Sequence, residues 1–263
     1  MVVKNLDRFL VIIFLGVAIL ASGCVSTMSQ PRQAGDPEAA YQQHLKLAMH
    51  YIGAKNRDLA RVHLEKAGQI DSGLARAQVS RLYNGYALLY QLELETELAE
   101  AHYRKAITSN KHDSMVRYNY AAFLFNQSRF KEALKQIQVS SDDLGYGRRP
   151  QAFYIMGLCQ SRLNKSEQAL SSFEKATHLE PRFADPYLEI GEIYFGQQKY
   201  FNAKRVLDQY ALLAQSTAKS LWLSVRLEGR LGNRDKASSQ GLQLKNLFPY
   251  SKENVEYQKW LNR

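Results

Sequence analysis

From residue 39 onward, the apolar positions of the chain follow the period of an amphipathic helix, and the alternation typical of a strand is missing. Only four prolines interrupt this stretch, namely Pro150, Pro181, Pro186 and Pro249. The pattern therefore predicts an all-α chain. Because a helical pattern of this length is typical of helical repeat proteins, we searched it for internal repeats.

The stretch 150–183 shows one repeat most completely. Its sequence is PQAFYIMGLCQSRLNKSEQALSSFEKATHLEPRF. Small residues stand at positions 8, 20 and 27, which are Gly157, Ala169 and Ala176, and a proline, Pro181, stands at position 32. Small side chains suit places where two helices cross closely, and proline ends the second helix. The arrangement resembles the tetratricopeptide repeat, a pair of antiparallel helices.

The same pattern fits further frames along the chain. With the frame at 150, the starts lie near residues 41, 80, 114, 150, 184 and 218, which are 39, 34, 36, 34 and 34 residues apart. The sixth frame has Ser224 and Glu228 where apolar residues belong, so either its start is shifted or its packing is looser. We predict a right-handed superhelical solenoid of six repeats over residues 41–249, closed by a capping helix over residues 250–263.

Residues 1–23 have the organisation of a secretory signal peptide. Lys4 and Arg8 precede or adjoin an apolar run over residues 9–22. At about 1.5 Å per residue this run spans roughly 21 Å, which is shorter than the hydrocarbon core of roughly 30 Å. We therefore expect it to direct export and not to span the membrane.

Cys24 directly follows the small residues Ala21, Ser22 and Gly23. This segment resembles the lipobox of bacterial lipoproteins, although Ala21 stands where leucine is usual. The resemblance implies that the Cys24 thiol is alkylated with diacylglycerol and that cleavage makes Cys24 the amino terminus. The alternatives are an uncleaved membrane anchor or a cysteine placed there by chance. Two or three acyl chains would hold the protein on a membrane, since each buried methylene contributes about 0.8 kcal/mol.

The residues that follow Cys24 bear on localisation. An aspartate there commonly retains such lipoproteins in the inner membrane, whereas this chain has Val25 and Ser26. The resemblance therefore implies an outer-membrane protein that faces the periplasm. Residues 24–40 are polar after the cysteine and contain prolines, so we expect a flexible tether.

The charge of the chain is basic. The full chain carries a formal net charge of +10, and removal of residues 1–23 removes Lys4, Arg8 and Asp7, which leaves +9. The basic residues are spread along all the helices, which favours a solvated surface. The alternatives are an acidic protein partner or an anionic envelope polymer, whose encounter this charge would steer. We expect no nucleic-acid partner for an exported protein.

The sequence contains few candidates for catalysis or metal binding. The six histidines form no HExxH motif and no paired metal spacing, and no serine lies in a GxSxG motif. We therefore predict neither an enzyme nor a metal or cofactor site. With Cys24 lipidated, Cys159 stands alone and is expected to be a small buried hydrophobe.

Positions 2, 5, 9, 12 and 13 of each repeat should line the inner groove of the solenoid. Several of them are large and apolar, and such a stripe usually marks a binding site. The predicted partner-binding groove consists of Leu45, Met49, Ile52, Leu88, Tyr118 and Phe125. Alternatively, the tether or a neighbouring helix covers this stripe. Repeat six differs, because Lys219, Arg226 and Arg230 predict a basic surface there.

Lipobox, tether and repeats are followed by SLWLSVRLEGRLGNRDKASSQGLQLKNLFPYS, residues 220–251. This combination resembles the type IV pilus biogenesis lipoproteins of the PilF/PilW family. The resemblance implies a pilotin, which binds a secretin subunit and promotes its placement and multimerisation in the outer membrane. We expect the protein to be a monomer. Family members often have cysteines where Phe125 and Cys159 stand, so a disulfide between them does not carry over. The alternative function is a general scaffold for peptidoglycan or outer-membrane assembly complexes.

Overall fold

The computed structural model describes residues 36–70 and 75–262, and within these ranges the chain is helical and forms no strand. The expected signal peptide and Cys24 lie outside the described residues. No helix in these ranges is both long and apolar enough to cross a membrane. The helices are α1 Pro37–Gly53, α2 Arg57–Gly68, α3 Arg76–Leu92, α4 Thr96–Ser109, α5 Ser114–Asn126, α6 Phe130–Asp142, α7 Arg149–Arg162, α8 Ser166–Leu179, α9 Asp185–Gly196, α10 Tyr200–Leu213, α11 Ala218–Arg230, α12 Arg234–Leu247 and α13 Lys252–Leu261.

Consecutive helices pack in pairs. The pairs α1–α2, α3–α4, α5–α6, α7–α8, α9–α10 and α11–α12 each make an extensive contact, and α13 packs on α11 and α12. Because short turns join the two helices of a pair, each pair is an antiparallel hairpin. The predicted all-α solenoid of helical repeats is confirmed.

The turn inside each hairpin contains one residue in the left-handed backbone region. These residues are Lys55, Leu94, Ser128, Asn164, Gln198 and Gly232, with φ between 58° and 83°. They lie 39, 34, 36, 34 and 34 residues apart, which are the spacings of the repeat frames. The sixth hairpin is therefore in register with the fifth, so its start is not shifted.

The first helix begins earlier than expected, inside the segment predicted to be a tether. Pro37 occupies the first turn of α1, where its missing N–H costs no hydrogen bond. The carboxylate of Asp36 accepts a hydrogen bond from the backbone N–H of Glu38 at 3.0 Å. Together, a capping aspartate and a proline start the helix before residue 41.

The departures in the sixth repeat produce looser packing. Ser224 and Glu228 line a cavity of about 360 Å³ between α10, α11 and α12. The Glu228 carboxylate is buried, accepts a hydrogen bond from the Asn233 amide at 2.6 Å and lies 3.6 Å from the Lys204 ammonium. The Glu228 carboxylate is thus partnered, but the two polar side chains leave space that apolar residues would fill.

The small residues lie at helix crossings, as the repeat pattern predicts. A Cβ atom built on Gly157 would lie 2.5 Å from the ring of Phe173, which is fully buried. Ala169 and Ala176 are also fully buried. The α7–α8 hairpin can therefore close only because these side chains are absent or small.

We expect Gly157→Ala to lower the free energy of unfolding by about 1–2 kcal/mol. Overpacking costs about 1–3 kcal/mol, and the higher helix propensity of alanine returns up to about 1 kcal/mol. Gly53→Ala is the matched control, because a Cβ at Gly53 meets nothing within 4 Å. Urea unfolding followed by circular dichroism measures both variants. A Gly157→Ala midpoint equal to that of Gly53→Ala would show that the crossing is not close.

We expect Leu94→Gly to raise the free energy of unfolding by about 0.5–1 kcal/mol. Leu94 has φ of 66° and is 86% exposed, so glycine removes a penalty of about 1–2 kcal/mol and exposes no core. The greater flexibility of unfolded glycine offsets part of this gain. Asn164→Gly, at φ 60°, should change stability little, because asparagine tolerates this conformation. Equal effects in the two variants would contradict the strain argument.

Candidate functional site

The odd-numbered helices form the inner layer of the solenoid. Consecutive odd-numbered helices contact each other along α1–α3, α3–α5, α5–α7 and α9–α11, whereas even-numbered helices of the described chain do not pack on one another to a similar extent. Elements that approach each other more closely lie on the shorter side of a bend. The odd-numbered helices therefore line the concave face, which is the usual binding surface of a solenoid.

Leu45 does not lie on an open surface. It is only 7% exposed and belongs to a core cluster with Leu64 and Ala48. A Cβ on Gly85 of α3 would lie 3.7 Å from its side chain, which shows how closely the second hairpin approaches. The expectation that Leu45 faces an open groove is wrong, because glycine at position 85 lets α3 cover it.

The other predicted groove residues are half-buried. Met49 and Ile52 lie on α1, and Ile52 packs against the first core cluster. Leu88 of α3 and Phe125 of α5 pack against a second cluster that includes Cys159. Ile52, Leu88 and Phe125 are thus anchored on the core and partly exposed, and Met49 is also partly exposed. Their role in partner binding stays a prediction.

Tyr118 is the most polar member of the predicted groove. The guanidinium of Arg148 lies 4.4 Å from the centre of its ring, and Arg148 donates a hydrogen bond to its hydroxyl at 3.2 Å. The ring of Tyr146 lies 6.2 Å away. Tyr118 is therefore held by a cation–π contact and an aromatic contact, which orient it on the inner face.

The expected basic surface of repeat six is largely neutralised. Lys219 pairs with Glu189 at 2.5 Å, and Arg226 contacts both carboxylate oxygens of Glu192 at 2.8 and 3.0 Å. The two glutamates come from α9, one repeat earlier. Frame positions counted within one repeat could not reveal these partners. The predicted basic surface is therefore corrected for Lys219 and Arg226, whereas Arg230 is exposed.

Aromatic side chains surround Arg226 at this end of the inner face. Its guanidinium lies 4.7 Å from the Phe195 ring centre and 5.3 Å from that of Trp222. Tyr257 and Trp260 of α13 stack on each other with ring centres 6.3 Å apart, and Trp222 meets both edge-on. We call these five residues the carboxyl-terminal aromatic patch. The rings and the guanidinium of this patch thus mainly contact one another.

The structure brings together two histidines that sequence spacing kept apart. The Nδ1 atoms of His44, on α1, and His63, on α2, lie 3.0 Å apart. Sequence reasoning missed this pair because its members belong to different helices of one hairpin. His102 also has an aromatic setting, between the rings of Tyr83, Tyr86 and Tyr90.

The fold and the inner face define a class of protein. A helical-repeat solenoid with an apolar, aromatic concave surface is typical of proteins that bind other proteins, as in tetratricopeptide-repeat adaptors. Residues 93–176 match the family model of anaphase-promoting complex, cyclosome, subunit 3. This match supports the tetratricopeptide-type repeat and covers less than half of the chain.

Relatives define the family more narrowly. The chain is 33% identical over 249 residues to the type IV pilus assembly protein PilF of Pseudomonas aeruginosa, covering 94% of this chain and 96% of the relative. It therefore belongs to the PilF family of type IV pilus biogenesis proteins. An uncharacterised protein of Haemophilus influenzae is 25% identical over 166 residues, covering 63% of this chain and 88% of that protein.

Solved structures agree with this assignment. The structure of Pseudomonas aeruginosa PilF has a TM-score of 0.78 and 32% identity, covering 85% of this chain and 98% of that one. The type IV pilus biogenesis factor PilW has a TM-score of 0.70 at 21% identity, covering 82% and 97%. At that identity, the second comparison shows the fold alone.

We expect Cys159 to be inert in the native protein. It is fully buried, and burial raises the pKa of its thiol to about 12. At pH 8 only about one thiol in ten thousand is then the reactive thiolate. In a Cys24→Ser chain, Ellman's reagent should leave Cys159 unmodified until guanidinium unfolds the protein. Rapid labelling under native conditions would contradict the burial described here.

Proposed function

We propose that this protein is an outer-membrane pilotin, anchored by lipid on Cys24, which binds a secretin subunit and promotes its multimerisation for type IV pilus biogenesis. The observation that carries the proposal is the 33% identity to a type IV pilus assembly protein along 94% of the chain. The lipobox-like segment before Cys24 supports the membrane anchor. The apolar, aromatic concave face is typical of solenoids that bind proteins, which supports the proposal that the cargo is a protein.

We place the cargo site on the inner face of α1, α3 and α5, at Met49, Ile52, Leu88, Tyr118 and Phe125. Each of these side chains is half-buried and still exposes apolar surface, and all but Met49 pack against a core cluster. Complete burial of a large apolar side chain contributes about 1.5–3 kcal/mol, and a partner would bury the remaining part of each. Leu45 supports this surface from the core beneath it and is not proposed to touch the cargo.

The carboxyl-terminal aromatic patch is a weaker candidate for the cargo. Arg226 already pairs with Glu192, and the rings of Trp222, Tyr257 and Trp260 already contact one another. A partner would have to compete with these internal contacts. In the α1–α5 part of the face Tyr118 also has such an internal contact, with Arg148, whereas Met49, Ile52 and Leu88 are aliphatic side chains with no polar group to displace.

We expect the double substitution Met49→Glu and Ile52→Glu to abolish secretin multimers in outer-membrane fractions. Two carboxylates on the apolar stripe would have to lose their hydration when a partner docks, which is unfavourable. Both side chains are only half-buried, so the helical circular dichroism should be retained. Heat-resistant secretin multimers on immunoblots provide the measurement.

The matched control is Trp222→Ala with Arg226→Ala, at the other end of the inner face. This variant should still support multimers. Loss of multimers in this control, with multimers retained in the Met49→Glu and Ile52→Glu variant, would place the cargo site in the carboxyl-terminal aromatic patch. Normal multimers in a strain that lacks the protein, with altered peptidoglycan or outer-membrane assembly, would replace the pilotin proposal with the general scaffold.

A further inference from the structure

The cavity between the last two repeats lies on the opposite face of the solenoid from the proposed cargo site. It has a volume of about 360 Å³, with α11 as its floor and α10 and α12 as its walls. Because the even-numbered helices form the outer layer, the cavity opens on the convex face. Ser224 and Glu228 lie in its floor, and we call it the sixth-repeat cavity.

The polar floor distinguishes this cavity from its neighbour. A second cavity of about 360 Å³ lies one repeat earlier, between α8, α9 and α10. Its floor contains Ile190 and Tyr194, which stand at positions 7 and 11 of the fifth repeat. Ser224 and Glu228 stand at the same positions of the sixth repeat. Hairpin packing therefore leaves a space at both places, but of these two cavities only the sixth-repeat cavity has a carboxylate in its floor.

Glu228 offers a hydrogen-bond acceptor to a ligand in this cavity. The residue is only 6% exposed, and its Oε2 atom accepts a hydrogen bond from the Asn233 amide at 2.6 Å. Its Oε1 atom lies 3.6 Å from the Lys204 ammonium, which is beyond hydrogen-bond distance. Lys204 forms its shorter ion pair with Asp208. A buried carboxylate oxygen without a hydrogen bond is unfavourable, so a ligand that donates to Oε1 is favoured.

The wall formed by α12 adds donors and acceptors. Ser239, Gln240 and Gln243 line the cavity from this helix. Their hydroxyl and amide groups can both donate and accept hydrogen bonds. A ligand that fills the cavity therefore meets polar partners on its floor and on at least one wall.

The charges that line the cavity are balanced. Lys204 and Lys236 carry positive charge, and Asp208 and Glu228 carry negative charge. An added cation would lie near the two ammonium groups, and an added anion would lie near the two carboxylates, so like charges oppose either ion. The lining therefore favours a neutral ligand.

From this lining we propose that the sixth-repeat cavity binds a neutral pyranose sugar. Each sugar hydroxyl is both a donor and an acceptor, so adjacent hydroxyls can satisfy Glu228 and the α12 side chains together. Leu207, Ala211 and Leu221 also line the cavity and provide apolar contacts for the ring carbons. The volume lies at the lower end of the range of about 300–1,000 Å³ for ligand sites, which suits a small ligand.

Saturation-transfer NMR of the full chain, purified in a detergent without a sugar headgroup, tests the proposal. The probes are glucose, galactose, mannose and N-acetylglucosamine, with acetate and ethylammonium as charged controls. We expect transfer to the ring protons of at least one sugar and to neither control. Transfer to no sugar would show that the cavity holds only water and would overturn the proposal, as would stronger binding of a charged control.

Oligosaccharides of the sugar that binds distinguish two sources of the same chemistry. Tighter binding of the trisaccharide than of the single sugar would identify a glycan chain as the ligand. Equal affinity would identify a free sugar or the end of a chain. Both results support a sugar site, and competition between the two probes would show that they share it.

Two variants locate the site. Glu228→Gln should weaken sugar binding by about tenfold, because hydrogen bonds to a charged acceptor are stronger than those to a neutral one. Gln240→Ala should weaken it by about threefold or more, and this half-buried residue leaves the fold intact, as circular dichroism should confirm. Glu174→Gln, at the neighbouring cavity, is the matched control and should bind as the unaltered protein does. Unchanged affinity in both Glu228→Gln and Gln240→Ala would contradict the assignment of the sugar to this cavity.

Discussion

Close approach of helices at small residues is the constraint on which the rest of this structure depends. The same device acts within hairpins, between them and at the end of the solenoid. A Cβ atom would lie 2.5 Å from Phe173 if added to Gly157, 2.6 Å from Leu64 if added to Gly85, and 2.1 Å from the Tyr257 hydroxyl if added to Gly241. In each case a large side chain of the neighbouring helix occupies the space that the glycine leaves, so the helices pack closely.

This packing also determines what the inner face can present. Where a hairpin approaches its neighbour closely, the apolar side chains between them are taken into the core, as Leu45 is. Those about two turns further along the same helix, such as Ile52, keep part of their surface exposed. At the other end, α13 caps the last hairpin through Tyr257, and its Trp260 joins Trp222 on the inner face. The concave surface is therefore apolar towards the amino terminus and internally paired towards the carboxyl terminus.

The repeat architecture could be predicted from the sequence because its causes are local. Small residues recur at fixed intervals, Pro181 and Pro249 follow the fourth and sixth hairpins, and the left-handed turn residues recur at the predicted spacings. The errors concern contacts between different helices, within a repeat or between neighbouring repeats. Leu45 is buried by α3, Arg226 is neutralised by Glu192 of the preceding repeat, and His44 meets His63 across a hairpin. A position within one repeat does not specify which side chain the next helix supplies.

The central functional claim is that cargo binds the inner face near the amino terminus of the solenoid. Site-specific photocrosslinking in cells tests it most directly, with a photoreactive amino acid at position 52 in one strain and at position 222 in another. The account predicts a crosslink to the secretin subunit from position 52 and none from position 222. A secretin crosslink from position 222 alone, or none from either position, would contradict it.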